Sequence, residues 1–286
     1  MAFAQMTFRS IAVLCCAAAA LAAPAASAQT SLAAPIRLGV LPNVSARVLM
    51  TNYQPVRSFL EAELKGPVQV LTATDFRAFH AGTVKREYDF VVTAANLARV
   101  AEIDLRWQPM LVYEPGIPGV LVRSKSKPPA GIAALKSKRL ALANPQSLVA
   151  LRGFDWLAEQ GLRRDVDYST VVLRNDDSLF AALGDGEIPF ALMSLGEFRA
   201  IPDPIRAGLE VETEFARVLG FVVMAAPDVP PARIESMRAA LIKLMSTPEG
   251  SQFTALSGVR AIRAVLPADL ATMDSFLRAT RSGLTP

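Results

Sequence analysis

Cysteine is confined to one place in this chain. The 286 residues include two, Cys15 and Cys16, both inside the apolar run from Ile11 to Ala23 near the start. Beyond that run there is none, which excludes a thiol nucleophile, a disulfide framework and a thiolate metal site from the remainder. Histidine is scarcer still: His80, in FRAFHAG, stands alone. A histidine-based triad or metal site would rest on that one residue, and a half-exposed histidine on a helix surface is its simpler reading. Runs of one charge are absent too. The 30 Lys and Arg are interspersed with 26 Asp and Glu, for a net charge of +4, so nothing tracks a nucleic-acid backbone. No G-x-S-x-G elbow and no metal-ligand spacing occurs, and no segment after residue 28 is long and apolar enough to span a bilayer. The expectation is a protein without enzymatic activity, cofactor or metal.

What is present begins with a leader. Arg9 is the only charge in the first 28 residues, the apolar run follows, and Ala26-Ser27-Ala28 has the A-x-A form of a cleavage site. Leu14 precedes Cys15, so the small residue that a lipid-anchoring signal places before its cysteine is missing. The expectation is export to the periplasm with cleavage after Ala28.

Strands and helices then alternate. Ile36–Leu41 reads as a strand, Val48–Leu64 as a helix stopped by Gly66-Pro67, and Val68–Leu71 as a second strand. Thr74-Asp75 can cap a helix through Val84, and Tyr88–Val92 is a third strand running into Thr93-Ala94-Ala95-Asn96. Continuous apolar strands in such alternation predict an α/β protein with mostly parallel sheets flanked by helices. The rhythm breaks at Arg106–Tyr113 and Gly119–Arg123, strands with no helix between them, joined by EPGIPG. A second alternating set fills 131–217, and Val218–Met224 reads as one more apolar strand. One α/β unit left through a strand and re-entered through another predicts two lobes with two hinge crossings, near Gly119–Ser124 and Leu219–Ala225. The expected division is 1–28 leader, 29–120 plus 223–286 first lobe, and 121–222 second lobe. Ligand then belongs in the cleft, near the carboxyl ends of the strands.

The stretch ALANPQSLVALRG, residues 141–153, runs a strand through a turn into a helix start, which presents free N–H groups at a positive dipole end. Together with LGVLPNVSARVLMTNYQPVRSFLEAEL, YDFVVTAANLARVAE, PGVLVRSKSKPPAGIAALKSKRLALANPQS and LGFVVMAAPDVPPARIESMRAAL, it resembles the periplasmic phosphate/phosphite/phosphonate-binding proteins of ABC transporters, within the type 2 periplasmic binding fold. That resemblance implies a solute receptor that captures a small polar molecule, a phosphate- or phosphonate-like oxyanion first of all, and delivers it as a monomer to an inner-membrane permease. A sensor feeding a signalling partner, or a receptor for a solute without phosphorus, is the alternative.

Three departures bear on the ligand. Leu148-Val149-Ala150 follows Ser147 where the resemblance implies a run of hydroxyls and glycine that cradles phosphoryl oxygens. Asp176 stands where histidine is common, and Pro189 where an acid is. A carboxylate facing an anion at 4 Å costs on the order of 4 kcal/mol per charge pair at an effective dielectric near 20. A neutral or zwitterionic solute, its cation paired with Asp176, therefore stays open beside the oxyanion.

The candidate ligand contacts are Asn43, Tyr53, Thr93 and Asn96 in the first lobe and Asn144, Ser147, Asn175, Asp176 and Ser178 in the second. Thr93 serves equally as a helix cap, Tyr53 as a packing residue, and Ser178 and Asp176 as caps of one helix. Asn96 is attractive because its amide both donates and accepts. Tyr113 could reach the hinge. Arg99, Arg152 and Arg174 could supply counter-charge, with solvated faces as their default.

Overall fold

A computed structural model describes residues 34–126, 131–173, 176–185 and 188–284, and Ala34 onward forms one compact unit. The first half of the chain runs β1 (Ile36–Val40), α1 (Ala46–Glu63), β2 (Val68–Leu71), α2 (Phe76–Val84), β3 (Phe90–Thr93), α3 (Ala95–Leu105), β4 (Gln108–Glu114), β5 (Ile117–Ser124), β6 (Arg139–Leu142) and α4 (Leu148–Glu159). The second runs β7 (Ser169–Val172), α5 (Asp176–Asp185), β8 (Phe190–Ser194), α6 (Leu195–Ala200), α7 (Asp203–Arg206), β9 (Leu209–Val218), β10 (Val222–Ala225), α8 (Pro231–Leu244), α9 (Pro248–Ser257), β11 (Ala261–Ala264), α10 (Pro267–Ala271) and α11 (Leu277–Leu284). Short 3-10 turns, Ile132–Leu135 and Asp274–Phe276, precede β6 and α11.

The elements form two sheets, in the orders β11-β4-β10-β3-β1-β2 and β7-β6-β8-β5-β9. In the first, β1 pairs in parallel with β2 and β3, while β10 lies antiparallel between β3 and β4. In the second, β6 pairs in parallel with β7 and β8, while β5 lies antiparallel between β8 and β9. Each sheet is thus a largely one-way α/β sheet into which the strand arriving from the other sheet inserts backwards. The central strands β3, β8 and β10 are buried along their whole length, as strands covered on both faces must be.

The chain passes between sheets at 115–116 and again at 219–221. The first passage lies a few residues ahead of the expected Gly119–Ser124, because β5 belongs wholly to the second sheet, and the expected strand Val218–Met224 breaks in its middle. The two passages touch. The Tyr113 N–H donates to the Phe221 carbonyl at 2.9 Å. A Cβ on Gly220 would come within 1.9 Å of the Tyr113 oxygen, and one on Gly116 within 2.5 Å of the Val218 oxygen. Glycine at both positions is what lets the backbones lie side by side. Strand β9 was not expected at all. Its Glu210, Glu212 and Glu214 interrupt any apolar run, and its extended form comes from pairing with β5 along its length at the sheet edge.

Candidate functional site

Parallel pairing sets where the loops meet. Val40 of β1 lies opposite Val92 of β3, so Asn43 and the turn Thr93–Asn96 leave the first sheet at one edge. Leu142 of β6 lies opposite Leu192 of β8, which does the same for Asn144–Ser147 and Ser194 in the second. These are carboxyl ends of strands, where open α/β sheets hold ligands.

The structure brings Asn96 to the 144–147 loop directly. Its Nδ2 donates to the Gln146 carbonyl at 3.2 Å and to Thr280 Oγ1 of α11 at 3.0 Å. Asn96 is 1% exposed, and its Oδ1 is buried without a hydrogen-bond partner. The helix it opens, α3, starts at Ala94 with no side-chain cap, and its first residues Ala95 and Asn96 are buried. A buried helix start normally finds partners for its free N–H groups. Here side chains of the described residues supply none.

The facing loop spends its polar side chains locally. Asn144 Oδ1 accepts from the Gln146 N–H at 2.8 Å, and Ser147 Oγ accepts from the Ala150 N–H at 3.0 Å as the N-cap of α4. These are the turn and cap geometries such residues favour. Leu148, Val149 and Ala150 are all buried, so the run that stands in place of hydroxyls packs as core.

The other candidates sit as follows. Asn43 is half-buried on the loop after β1. Thr93 is buried and borders a void of about 10 Å³ with Phe79, His80 and Leu97. Tyr53 is buried with its ring edge-on to Phe253 at 5.5 Å, and Tyr113 meets the same ring at 5.8 Å. Burial pushes both phenols up, that of Tyr113 to about 12 against the neighbouring Tyr53 hydroxyl, which lowers it. Asp176 opens α5, and Ser178 is half-buried in its first turn. Asn175 and Arg174 lie outside the described residues, as does the side chain of Asp176. Arg99 is committed to Glu102 and Asp274. His80 is half-buried, and its burial draws the imidazole below its ordinary pKa while Asp104 pulls the other way.

Three participants escaped the sequence. Gln146 lies inside the quoted turn, yet its role is a backbone carbonyl and a packing contact that no residue type announces. Thr280 is a fully buried hydroxyl 184 residues away from Asn96. Gly283 lets α11 approach the loop, since a Cβ there would meet Gln146 Cγ at 2.4 Å. Glu197 is a further polar group at the edge: its Oε2 accepts from the Ser194 N–H at 2.6 Å in a capping box at the end of β8. Burial raises the Glu197 carboxyl above its usual range, against that N–H, which lowers it.

Beside this junction lies a cavity of about 660 Å³ between α4, the two passages and the segment 268–276. Among the described residues there is no cluster of three or more metal-ligating acids, histidines or cysteines, and no helix long and apolar enough to cross a membrane.

Residues 38–270 match the family model described as ABC transporter, phosphonate, periplasmic substrate-binding protein. No curated protein matches the sequence at a significant level. The fold is similar to that of a binding-protein component of an ABC phosphonate transporter from Pseudomonas aeruginosa, with TM-score 0.73 and 14% identity over 88% of this chain and 89% of that one. It is similar to PhnD1 from Prochlorococcus marinus in complex with methylphosphonate, with TM-score 0.73 and 13% identity over 86% and 98%. The periplasmic aliphatic sulphonate binding protein SsuA from Escherichia coli has TM-score 0.58 and 14% identity over 87% and 92%. Identities this low speak to the fold, which is the two-lobed type 2 periplasmic binding arrangement.

Proposed function

The chain belongs to the phosphonate family of periplasmic substrate-binding proteins of ABC transporters, and we propose that its own ligand is a small oxyanion carrying a hydrogen-bond donor, held where the starts of α3 and α4 meet. Proteins of this family bind a small solute and deliver it to a membrane permease. The observation that carries the ligand reading is Asn96. Its helix start offers uncapped N–H groups and a positive dipole end, which favour an anion. Its buried, unpartnered Oδ1 repels a bare anion and wants a donor. A protonated phosphonate or an aminoalkyl phosphonate satisfies both demands, and Asp176, which opens α5, accords with the second. Binding of methylphosphonate by a protein of the same fold supports the headgroup.

In this reading Asn43, Thr93, Asn96, Asn144 and Ser147 border the ligand from the two sides, Asn175, Asp176 and Ser178 are further contacts of the second lobe, and Tyr53 acts through the packing of α1. The lobes divide at the passages 115–116 and 219–221 rather than at 120 and 222, and the monomeric receptor is exported with cleavage after Ala28. Closure follows from a ligand that binds the closed arrangement better than the open one. The test is thermal unfolding with phosphate, methylphosphonate and an aminoalkyl phosphonate. A ligand at a hundredfold excess over its dissociation constant adds about 2.7 kcal/mol. A donor-bearing phosphonate should raise the midpoint, and Asn96→Ala should abolish the rise. No rise with any of the three, or the same rise in the variant, would overturn the reading.

A further inference from the structure

The cavity beside the junction has chemistry of its own. At about 660 Å³ it falls within the roughly 300–1,000 Å³ of small-molecule sites. Neither Asn96 nor Ser147 lines it. Its walls come from parts of the chain far apart in sequence: Leu148 and Arg152 of α4, Arg217 and Leu219 at the second passage, and Met273 and Phe276 ahead of α11. Most of that surface is aliphatic or aromatic, and its charged lining residues are two arginines and one acid.

Asp269 is the one acid in the lining, and it is already engaged. Its oxygens take Arg263 at 2.7 and 3.2 Å and the Leu266 N–H at 2.8 Å, and the Arg263 guanidinium holds its carboxyl below the usual range. The two arginines are paired nearer solvent. Arg152 donates to both oxygens of Glu159 at 2.8 and 3.4 Å, and Arg217 to Glu214 at 2.7 Å and the Gly116 carbonyl at 3.2 Å, the two glutamates being 56% and 42% exposed. Exposed pairs of this kind contribute little, so either guanidinium is free to exchange its carboxylate for another anion. A guanidinium fork suits a planar carboxylate or a sulfonate better than any neutral group.

We propose that this cavity is a second binding site, for an amphipathic organic anion whose carboxylate or sulfonate head meets Arg152 and Arg217 while its alkyl or aryl body lies against Leu148, Leu219, Met273 and Phe276. The site stands independently of whether the helix starts hold a phosphonate. An inorganic anion would leave the apolar wall wet, and an uncharged hydrocarbon would leave the arginines unused. The head and the body are both required.

Isothermal titration of the full exported chain with hexanesulfonate and with hexanoate tests this, using methanesulfonate and hexylamine as probes that lack one feature each. Both hexyl anions should bind, one more tightly than the other according to which head the fork prefers, and the two truncated probes should bind about tenfold or more weakly, as expected on losing the apolar body or a charge-assisted hydrogen bond. Arg152→Gln and Arg217→Gln, both at half-exposed or exposed positions and expected to fold, should each weaken hexanesulfonate by about tenfold. Saturation with methylphosphonate should leave hexanesulfonate binding in place. The proposal falls if neither hexyl anion binds, if methanesulfonate binds as well as hexanesulfonate, if both arginine variants bind like the parent, or if methylphosphonate displaces hexanesulfonate from a single shared site.

Discussion

Thr280→Val keeps the shape of a buried side chain and removes one oxygen. Thr280 is 0% exposed, and its Oγ1 accepts one proton of the Asn96 amide at 3.0 Å while the Gln146 carbonyl is reached at 3.2 Å. Valine leaves that amide with a donor that has lost its acceptor where water does not reach. Rotating the amide offers no escape, because it would turn Oδ1, already without a partner, toward the Gln146 carbonyl. A buried donor left unpaired costs about 1–3 kcal/mol. Urea unfolding should therefore show a lower midpoint at unchanged slope, the sign of lost stability without a change in compactness. In a chain of this size each kcal/mol shifts the thermal midpoint by about 2–4 °C. Asn96→Leu combined with Thr280→Val removes both polar partners, so its loss should fall short of the sum of the singles by about 1 kcal/mol. A single variant within about 0.3 kcal/mol of the parent, or strict additivity in the pair, would refute the claim that α11 ties down the start of α3.

Two further outcomes follow from other parts of the molecule. Gly220→Ala drives a Cβ to 1.9 Å from the Tyr113 oxygen, backbone against backbone, so thermal unfolding should show a loss of about 1–3 kcal/mol or more, whereas Gly66→Ala, whose nearest neighbour is at 3.8 Å, should stay within about 0.5 kcal/mol. Asp269 and Glu197 should pull the acid limb of stability in opposite directions. Arg263 lowers the folded pKa of Asp269, so its contribution is present above the ordinary carboxylate value of about 3.9 and lost as pH falls through the folded value. Burial raises that of Glu197, so its contribution is present below about 4.3 and lost as pH rises through the folded value. Urea midpoints between neutral and acid pH should accordingly fall less in Asp269→Asn than in the parent, and more in Glu197→Gln.

The parts of the fold visible in the sequence are those that local chemistry decides. Asp75 caps α2 by accepting from the Ala78 N–H three residues on, and Ser147 caps α4 by the same spacing, so both helix starts could be placed from residue type alone. Strands β3 and β10 are unbroken apolar runs because both their faces are covered. Strand β9 escaped because Glu210, Glu212 and Glu214 break its apolar pattern at a sheet edge, where Glu210 and Glu212 pair with Arg123 of β5. The break at 219–221 escaped because Val, Leu and Phe on either side of Gly220 read as one strand.

The site divides the same way. Asn96 was nameable as a polar side chain in the first turn of a helix after a buried strand, and the helix start at Ser147 as a turn behind an apolar run. Their meeting was not, since the Asn96–Gln146 bond spans 50 residues and the Asn96–Thr280 bond spans 184. The sequence by itself determined the alternation of strands and helices and the caps, because each depends on hydrogen bonds and sterics within a few residues. Tertiary structure alone decided that a backbone carbonyl and a C-terminal hydroxyl share one amide, that one carbonyl oxygen goes unmatched, and that two arginines 65 positions apart line one cavity. Those follow from how two sheets and a terminal helix pack, and packing joins groups that no local pattern relates.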